Sequence, residues 1–121
     1  MGATDTVTVV QLVAELTGIS PAQLHDRALL GGLLIAAAGA AGLHAAQPPI
    51  LHAHGIRGID ALLLLDGGHA TVHAHAPSGT LLIDLLAPEP ADLARALDVF
   101  TRRLAPTAIG AERIVRMGQM A

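Results

Sequence analysis

The stretch that decides the fold is residues 59–87, IDALLLLDGGHATVHAHAPSGTLLIDLLA. It contains three hydrophobic segments, residues 59–66, 69–75 and 80–87, separated by short turns that contain glycine or proline. In the second segment polar and apolar residues alternate, which is typical of a β-strand with one buried face. Because short turns join antiparallel neighbours, the three segments predict the centre of an antiparallel sheet.

The rest of the chain supplies further strands and two helices. Strands are predicted at residues 6–16, at residues 43–55 with two prolines near the start, and at residues 111–117. Residues 27–42 predict a helix that follows Asp26 as N-cap, and residues 88–105 predict a helix with prolines and acids first and arginines last. The order β-α-β-β-β-β-α-β predicts an α+β fold: a two-layer α/β sandwich, with a mostly antiparallel sheet and two helices on one face. One domain is expected over residues 1–121.

Composition excludes several classes of function. The net charge is −3, with seven arginines and no lysine, which argues against nucleic-acid binding and excludes an imine on a lysine. No cysteine is present, so disulfides, zinc–thiolate sites and a thiol nucleophile are excluded. The apolar runs are too short to span a bilayer and the start of the chain lacks a basic signal region, so we expect a cytoplasmic protein without membrane contact.

Histidines are concentrated in the middle of the chain. Five of the seven fall within 24 residues, at His52, His54, His69, His73 and His75. On strands, the first two share one face and the last three share one face. One interpretation is a divalent transition-metal site (Zn, Fe, Ni or Cu) with ligands His54, His69, His73 and His75, completed or oriented by Asp60 or Asp84. A second interpretation is that the histidines are hydrogen-bonded, half-buried side chains that bind no metal. A third is that His73 acts as a general acid/base.

The segment from Leu51 to Pro88 resembles the prokaryotic S-adenosylmethionine decarboxylase family without a gap. The matching residues are His52, Gly58, His69, Thr71 (for Ser), His73, Gly79 and Asp84. The resemblance implies the sandwich fold already expected. It also implies a homodimer, with sheets that meet edge-on or through a shared pocket.

The resemblance implies a cofactor that this chain cannot make. Members of the family cut their own backbone between Glu and Ser, and the Ser becomes a pyruvoyl group. That pair aligns with Gly67 and Gly68, and glycine has no hydroxyl to attack the preceding carbonyl. The catalytic Cys of the family aligns with Pro88 and its processing Ser with Asp60, whereas the processing His is retained as His73. We therefore expect no pyruvoyl group.

Substrate recognition also departs from the family pattern. The Phe that stacks on adenine aligns with His54, and the Glu that holds the ribose aligns with Pro77. His75 replaces a Trp of the pattern, and Arg57 replaces a Gln and is suited to clamping a carboxylate.

These departures lead to two main hypotheses. The first is a bacterial small-molecule enzyme in the old decarboxylase pocket, with lyase- or cyclase-type chemistry based on a histidine-bound divalent metal or on His acid/base work. Its catalytic residues would be His73 and Asp84, and its substrate-binding residues Arg57, His52 and Asp60. The second is a catalytically inactive paralogue that binds S-adenosylmethionine or regulates a true decarboxylase. A third possibility is that only the fold persists.

Overall fold

A six-stranded antiparallel sheet forms one layer of the computed structural model, which describes residues 8–118. The strands are β1 Thr8–Thr17, β2 Ile50–Ala53, β3 Ile59–Leu65, β4 Gly68–His75, β5 Thr80–Pro88 and β6 Ala108–Gly118. Their order across the sheet is β2-β3-β4-β5-β1-β6, and every neighbouring pair is antiparallel. The three hydrophobic segments of residues 59–87 form β3, β4 and β5, which are consecutive neighbours in the middle of the sheet.

The helices are α1 Pro21–Leu24, α2 Arg27–Ala40 and α3 Leu93–Leu104. Asp26 caps α2 as predicted, since its carboxylate accepts a hydrogen bond from the backbone N–H of Leu29 at 3.0 Å. Asp92 caps α3 in the same way through the N–H of Arg95. Helix α3 therefore begins at Leu93 and not at residue 88 as predicted. Residue 88 is still part of β5.

The hydrophobic core lies between the helices and one face of the sheet. Alternate residues of the strands point to this face, and Leu12, Leu63 and Leu81 are completely buried there. Phe100 of α3 is completely buried from the other side. The predicted α+β two-layer sandwich with its helices on one face is therefore confirmed.

Three further details differ from the sequence predictions. Residues 21–24, which lie between the predicted first strand and first helix, form the one-turn helix α1. The strand predicted over residues 43–55 is only β2, which starts directly after Pro49, because proline has no N–H for the ladder. The last strand starts at Ala108 and not at residue 111. The ends of the predicted domain, and residues 6 and 7 of the predicted first strand, lie outside the described residues. Within residues 8–118, no helix has the length and apolarity needed to cross a bilayer.

None of the helices within residues 8–118 packs on the second face of the sheet, which we call the open face. Asp60 on β3 is in register with His73 on β4, which is in register with Leu82 on β5. Leu82 is in turn in register with Glu15 on β1, so these four side chains form one row across the face. Apolar side chains are also exposed on this face: Ile50 by 59%, Leu64 by 45% and Leu82 by 48%.

Candidate functional site

Asp60 lies between two imidazoles. Its Oδ1 lies 2.9 Å from His73 Nδ1, and its Oδ2 is in contact with His54 Nε2. His73 faces Asp60 directly across the β3–β4 pair, whereas His54 reaches it from the end of β2. We call this group, His54, Asp60 and His73, the Asp60 cluster. Its carboxylate is the less exposed partner, at 25% of the side chain against 59% for His73.

The two histidines shift the titration of the carboxyl between them. Partial burial raises the pKa of Asp60, but the hydrogen bonds from His73 and His54 and the charges of those rings outweigh it. The pKa therefore lies below the ordinary value of 3.8. At neutral pH the carboxylate is ionised and acts as an acceptor toward both rings.

A tight loop brings Arg57 to the same place. Residues Gly55–Arg57 form a single 3-10 turn between β2 and β3. Gly58 ends the turn with φ of 102°, and a Cβ there would lie 2.6 Å from the backbone oxygen of Leu24. Only glycine fits both the backbone angle and the close approach to α1. This packing fixes the loop that carries Arg57.

Together these residues line a cleft of about 550 Å³ at one end of the open face. The Asp60 cluster, Arg57 and His75 all contribute to its lining. Glu15 of β1 also lines the cleft, although no sequence pattern had singled it out. Strand alternation places Glu15 on the open face. Its position beside Leu82 depends on the pairing of β1 with β5, two strands that are far apart in the sequence.

Asp84 belongs to a separate group on the open face. Its Oδ1 accepts a hydrogen bond from Gln11 Nε2 at 3.0 Å, and its Oδ2 lies 3.5 Å from His69 Nε2. His69 is four residues from His73 along β4, a separation of roughly 13 Å on a strand. Asp84 and His73 do border a common depression, but the Asp84 carboxylate is held by Gln11 and is not in contact with the Asp60 cluster.

The structure does not bring the four predicted metal ligands together. His54 and His73 meet at Asp60, whereas His69 pairs with Asp84 and the Nδ1 of His75 lies 2.8 Å from Ser78 Oγ. In the described part of the chain, no group of three or more His, Cys, Asp or Glu is arranged to hold a metal ion. His52, predicted to bind substrate, lies beside the cluster: its ring packs edge-on against His54 with centroids 4.5 Å apart.

The turn between β3 and β4 does not fit a pyruvoyl group. Gly67 has φ of 81°, a conformation that side chains rarely adopt. A Cβ on Gly68 would overlap the backbone carbonyl oxygen of Leu86, with the carbonyl carbon at 2.8 Å. The backbone of Leu86 therefore occupies the space that a serine side chain at residue 68 would need, and glycine also lacks the hydroxyl of serine.

Comparison with known proteins agrees with the fold described above. No curated protein sequence matches the chain. The crystal structure of the adenosylmethionine decarboxylase from Aquifex aeolicus VF5 superposes with a TM-score of 0.75 at 20% identity, over 94% of this chain and 90% of that one. The sequence model of S-adenosylmethionine decarboxylase matches residues 10–117. The chain therefore belongs to the S-adenosylmethionine decarboxylase family.

Proposed function

We propose that this chain is a family member that does not process itself and that acts on a small organic acid by histidine acid/base chemistry in the cleft. The observation that carries the proposal is the Asp60 cluster, in which one carboxylate holds two imidazoles through its two oxygens. The cluster needs no pyruvoyl group, and the glycines at positions 67 and 68 supply none.

The hydrogen bonds assign complementary roles to the two rings. With Nδ1–H of His73 donated to Asp60, the lone pair of that neutral ring lies on Nε2, which can accept a proton from a bound molecule. His54 contacts the same carboxylate through Nε2 and leaves Nδ1 for proton transfer. One ring can remove a proton while the other returns one to a leaving group, as a lyase- or cyclase-type reaction requires. Asp60 stabilises whichever ring is positively charged.

The substrate class follows from the side chains at the rim. Arg57 can bind a carboxylate through two parallel hydrogen bonds. His54, Arg57, Asp60 and His75 all differ from the family pattern, and all four line this cleft. Changes gathered in one cleft support an altered substrate more than a general loss of function. A volume of about 550 Å³ accommodates a molecule of metabolite size.

A hydrogen-exchange experiment tests the proposal without knowledge of the physiological substrate. The purified protein is incubated in D2O with a panel of small carboxylic and amino acids, and loss of C–H signals next to the carboxylate is followed by NMR. We expect exchange with at least one compound, a fall of about 100-fold or more in His73→Gln, and weaker binding in Arg57→Ala. Arg27→Ala, a change at the exposed start of α2, serves as the matched control.

Two outcomes would contradict the proposal. Binding of S-adenosylmethionine in calorimetry, without exchange of any panel compound, would favour the inactive paralogue. At least half an equivalent of Zn, Fe, Ni or Cu in the purified protein, together with exchange abolished by chelation, would replace metal-free acid/base catalysis by metal chemistry.

We also propose that a second copy of this chain packs against the part of the open face outside the cleft, giving a homodimer. Ile50 and Leu64 are about half exposed there, and apolar side chains exposed on a sheet face favour coverage by a partner. Leu64→Asp should shift the protein to the monomer in sedimentation velocity. Ile35→Asp should not, because Ile35 is equally exposed but lies on α2, across the molecule from this face. A wild-type monomer, or the same shift in both variants, would refute the interface.

A further inference from the structure

A second hydrogen-bonded group lies at the cleft, outside the Asp60 cluster. Ser78 Oγ is 2.8 Å from His75 Nδ1 and 2.9 Å from Thr80 Oγ1. All three residues line the same cleft as Arg57. A hydroxyl within hydrogen-bond distance of an imidazole is the basic arrangement of an activated serine.

The turn that carries Ser78 is firmly held. It consists of the 3-10 turn Ala76–Ser78, which Pro77 stiffens and Gly79 closes with a backbone hydrogen bond from its N–H to the Ala76 oxygen at 3.0 Å. The Gly79 oxygen accepts a second bond from the N–H of Ile19 at 2.9 Å, which ties the turn to the segment after β1. Ala76 and Gly79 are buried. The hydroxyl of Ser78 is thus presented from a fixed backbone.

We propose that Ser78 is a nucleophile, with His75 as its general base, toward esters of small carboxylic acids. Ser78 Oγ bonds to the carbonyl carbon, and its proton passes to His75 Nδ1. The bond from that carbon to the alkoxy group then breaks, and His75 gives the proton to the departing alkoxide. Water next attacks the acyl group on Ser78, which releases the acid and restores the hydroxyl. The net reaction is ester plus water to acid plus alcohol.

Other contacts of the same turn fit these roles. Thr80 Oγ1 at 2.9 Å and the backbone oxygen of His75 at 3.2 Å can each accept the Ser78 hydroxyl proton, so these contacts hold the hydroxyl beside the imidazole when its proton is not directed at Nδ1. Arg57 borders the same cleft and offers a positive charge to the oxygen that becomes negative during attack. None of these roles uses the Asp60 cluster, and Arg57 is the residue that this activity shares with the proton-transfer function proposed above.

Covalent labelling tests the proposal, and the chain provides its own control. It contains two serines, Ser20 and Ser78. Ser20 is exposed and makes no capping hydrogen bond with α1, so it represents an ordinary hydroxyl. The full-length protein is treated with a fluorophosphonate at about pH 8, where most imidazole is neutral. The adduct is located by intact mass and peptide mapping, and release of nitrophenol from p-nitrophenyl acetate is followed in parallel.

We expect one adduct per chain, on Ser78, together with ester hydrolysis. Both should vanish in Ser78→Ala and slow by about 100-fold or more in His75→Gln, since a general base contributes that much. Ser20→Ala should react like the wild type. The proposal is overturned by the absence of an adduct, by equal labelling of both serines, or by a His75→Gln protein that reacts at the wild-type rate. Mapping the adduct on the wild-type chain decides the matter even where a variant does not fold.

Discussion

Restoring a serine at position 68 should damage the fold without restoring self-processing. A Cβ on Gly68 would overlap the carbonyl oxygen of Leu86 and would lie 3.0 Å from Ala87 Cα. These atoms belong to the backbone of β5, which is hydrogen-bonded to β4, so they cannot move aside as a flexible side chain could. Forcing extra atoms into a packed interior costs roughly 1–3 kcal/mol. We therefore expect Gly68→Ser to lower the free energy of unfolding by about that amount, with a fall in melting temperature of roughly 4 °C per kcal/mol.

The assay combines urea unfolding, read by circular dichroism, with intact mass. Gly32→Ser is the matched control, because a Cβ on Gly32 in α2 meets no atom within 4 Å. Serine is also the better helix former, so this control should be as stable as the wild type or slightly more stable. Both variants should show one intact chain. A Gly68→Ser protein that is as stable as the wild type, or that splits between residues 67 and 68, would refute the reasoning.

Two further changes test other parts of the structure. Asp60→Asn should destabilise the protein at neutral pH, because the pKa of Asp60 is lower in the folded state than in the unfolded state. The ionised carboxylate therefore stabilises the fold above the unfolded-state pKa, and this stabilisation is lost as the pH falls through the folded-state pKa. The difference in unfolding free energy from the wild type should therefore shrink as the pH falls below the ordinary pKa of 3.8, and a constant difference would contradict this interpretation of the cluster. Phe100→Ala should lower the free energy of unfolding by about 3–5 kcal/mol in urea titrations, since the ring is completely buried between α3 and the sheet. A loss below about 1 kcal/mol would show that the helix layer packs elsewhere.

Local patterns predicted most of the fold. The alternation in residues 69–75 and the turns around it predicted strands that the structure places side by side at the centre of the sheet. Asp26 marked the start of α2 because an N-cap acts within one turn of its helix. The errors were local too. Pro48 and Pro49 shortened β2, and the extension of β5 delayed α3 to the cap at Asp92.

The candidate site was only partly predictable. Family resemblance directed attention to His54, Arg57 and Asp60, and alternation placed His73 on the same face as His69. Spacing did not show that Asp60 would bind two rings while Asp84 bound another, since this depends on the register of β3 against β4 and of β4 against β5. The same registers separate the four histidines that were predicted as metal ligands. The register of β1 against β5 likewise brings Glu15 to the cleft, which spacing alone did not indicate.

The pairing of Asp60 with two histidines is the geometry on which the proposed acid/base role rests. Both carboxylate oxygens are engaged and the pKa is lowered, so the negative charge is available wherever a ring becomes protonated. A hydrogen-bonded, purely structural cluster would share this geometry. The exchange experiment with His73→Gln distinguishes the two, because stability and catalysis would then change separately.

The most direct test of the central claim, that the cleft and not a backbone-derived carbonyl carries the chemistry, is the intact mass of the purified wild-type chain. We expect a single species of 12.3 kDa, with the peptide bond between Gly67 and Gly68 unbroken. Two fragments, residues 1–67 and residues 68–121 with the second blocked at its first residue, would contradict the account.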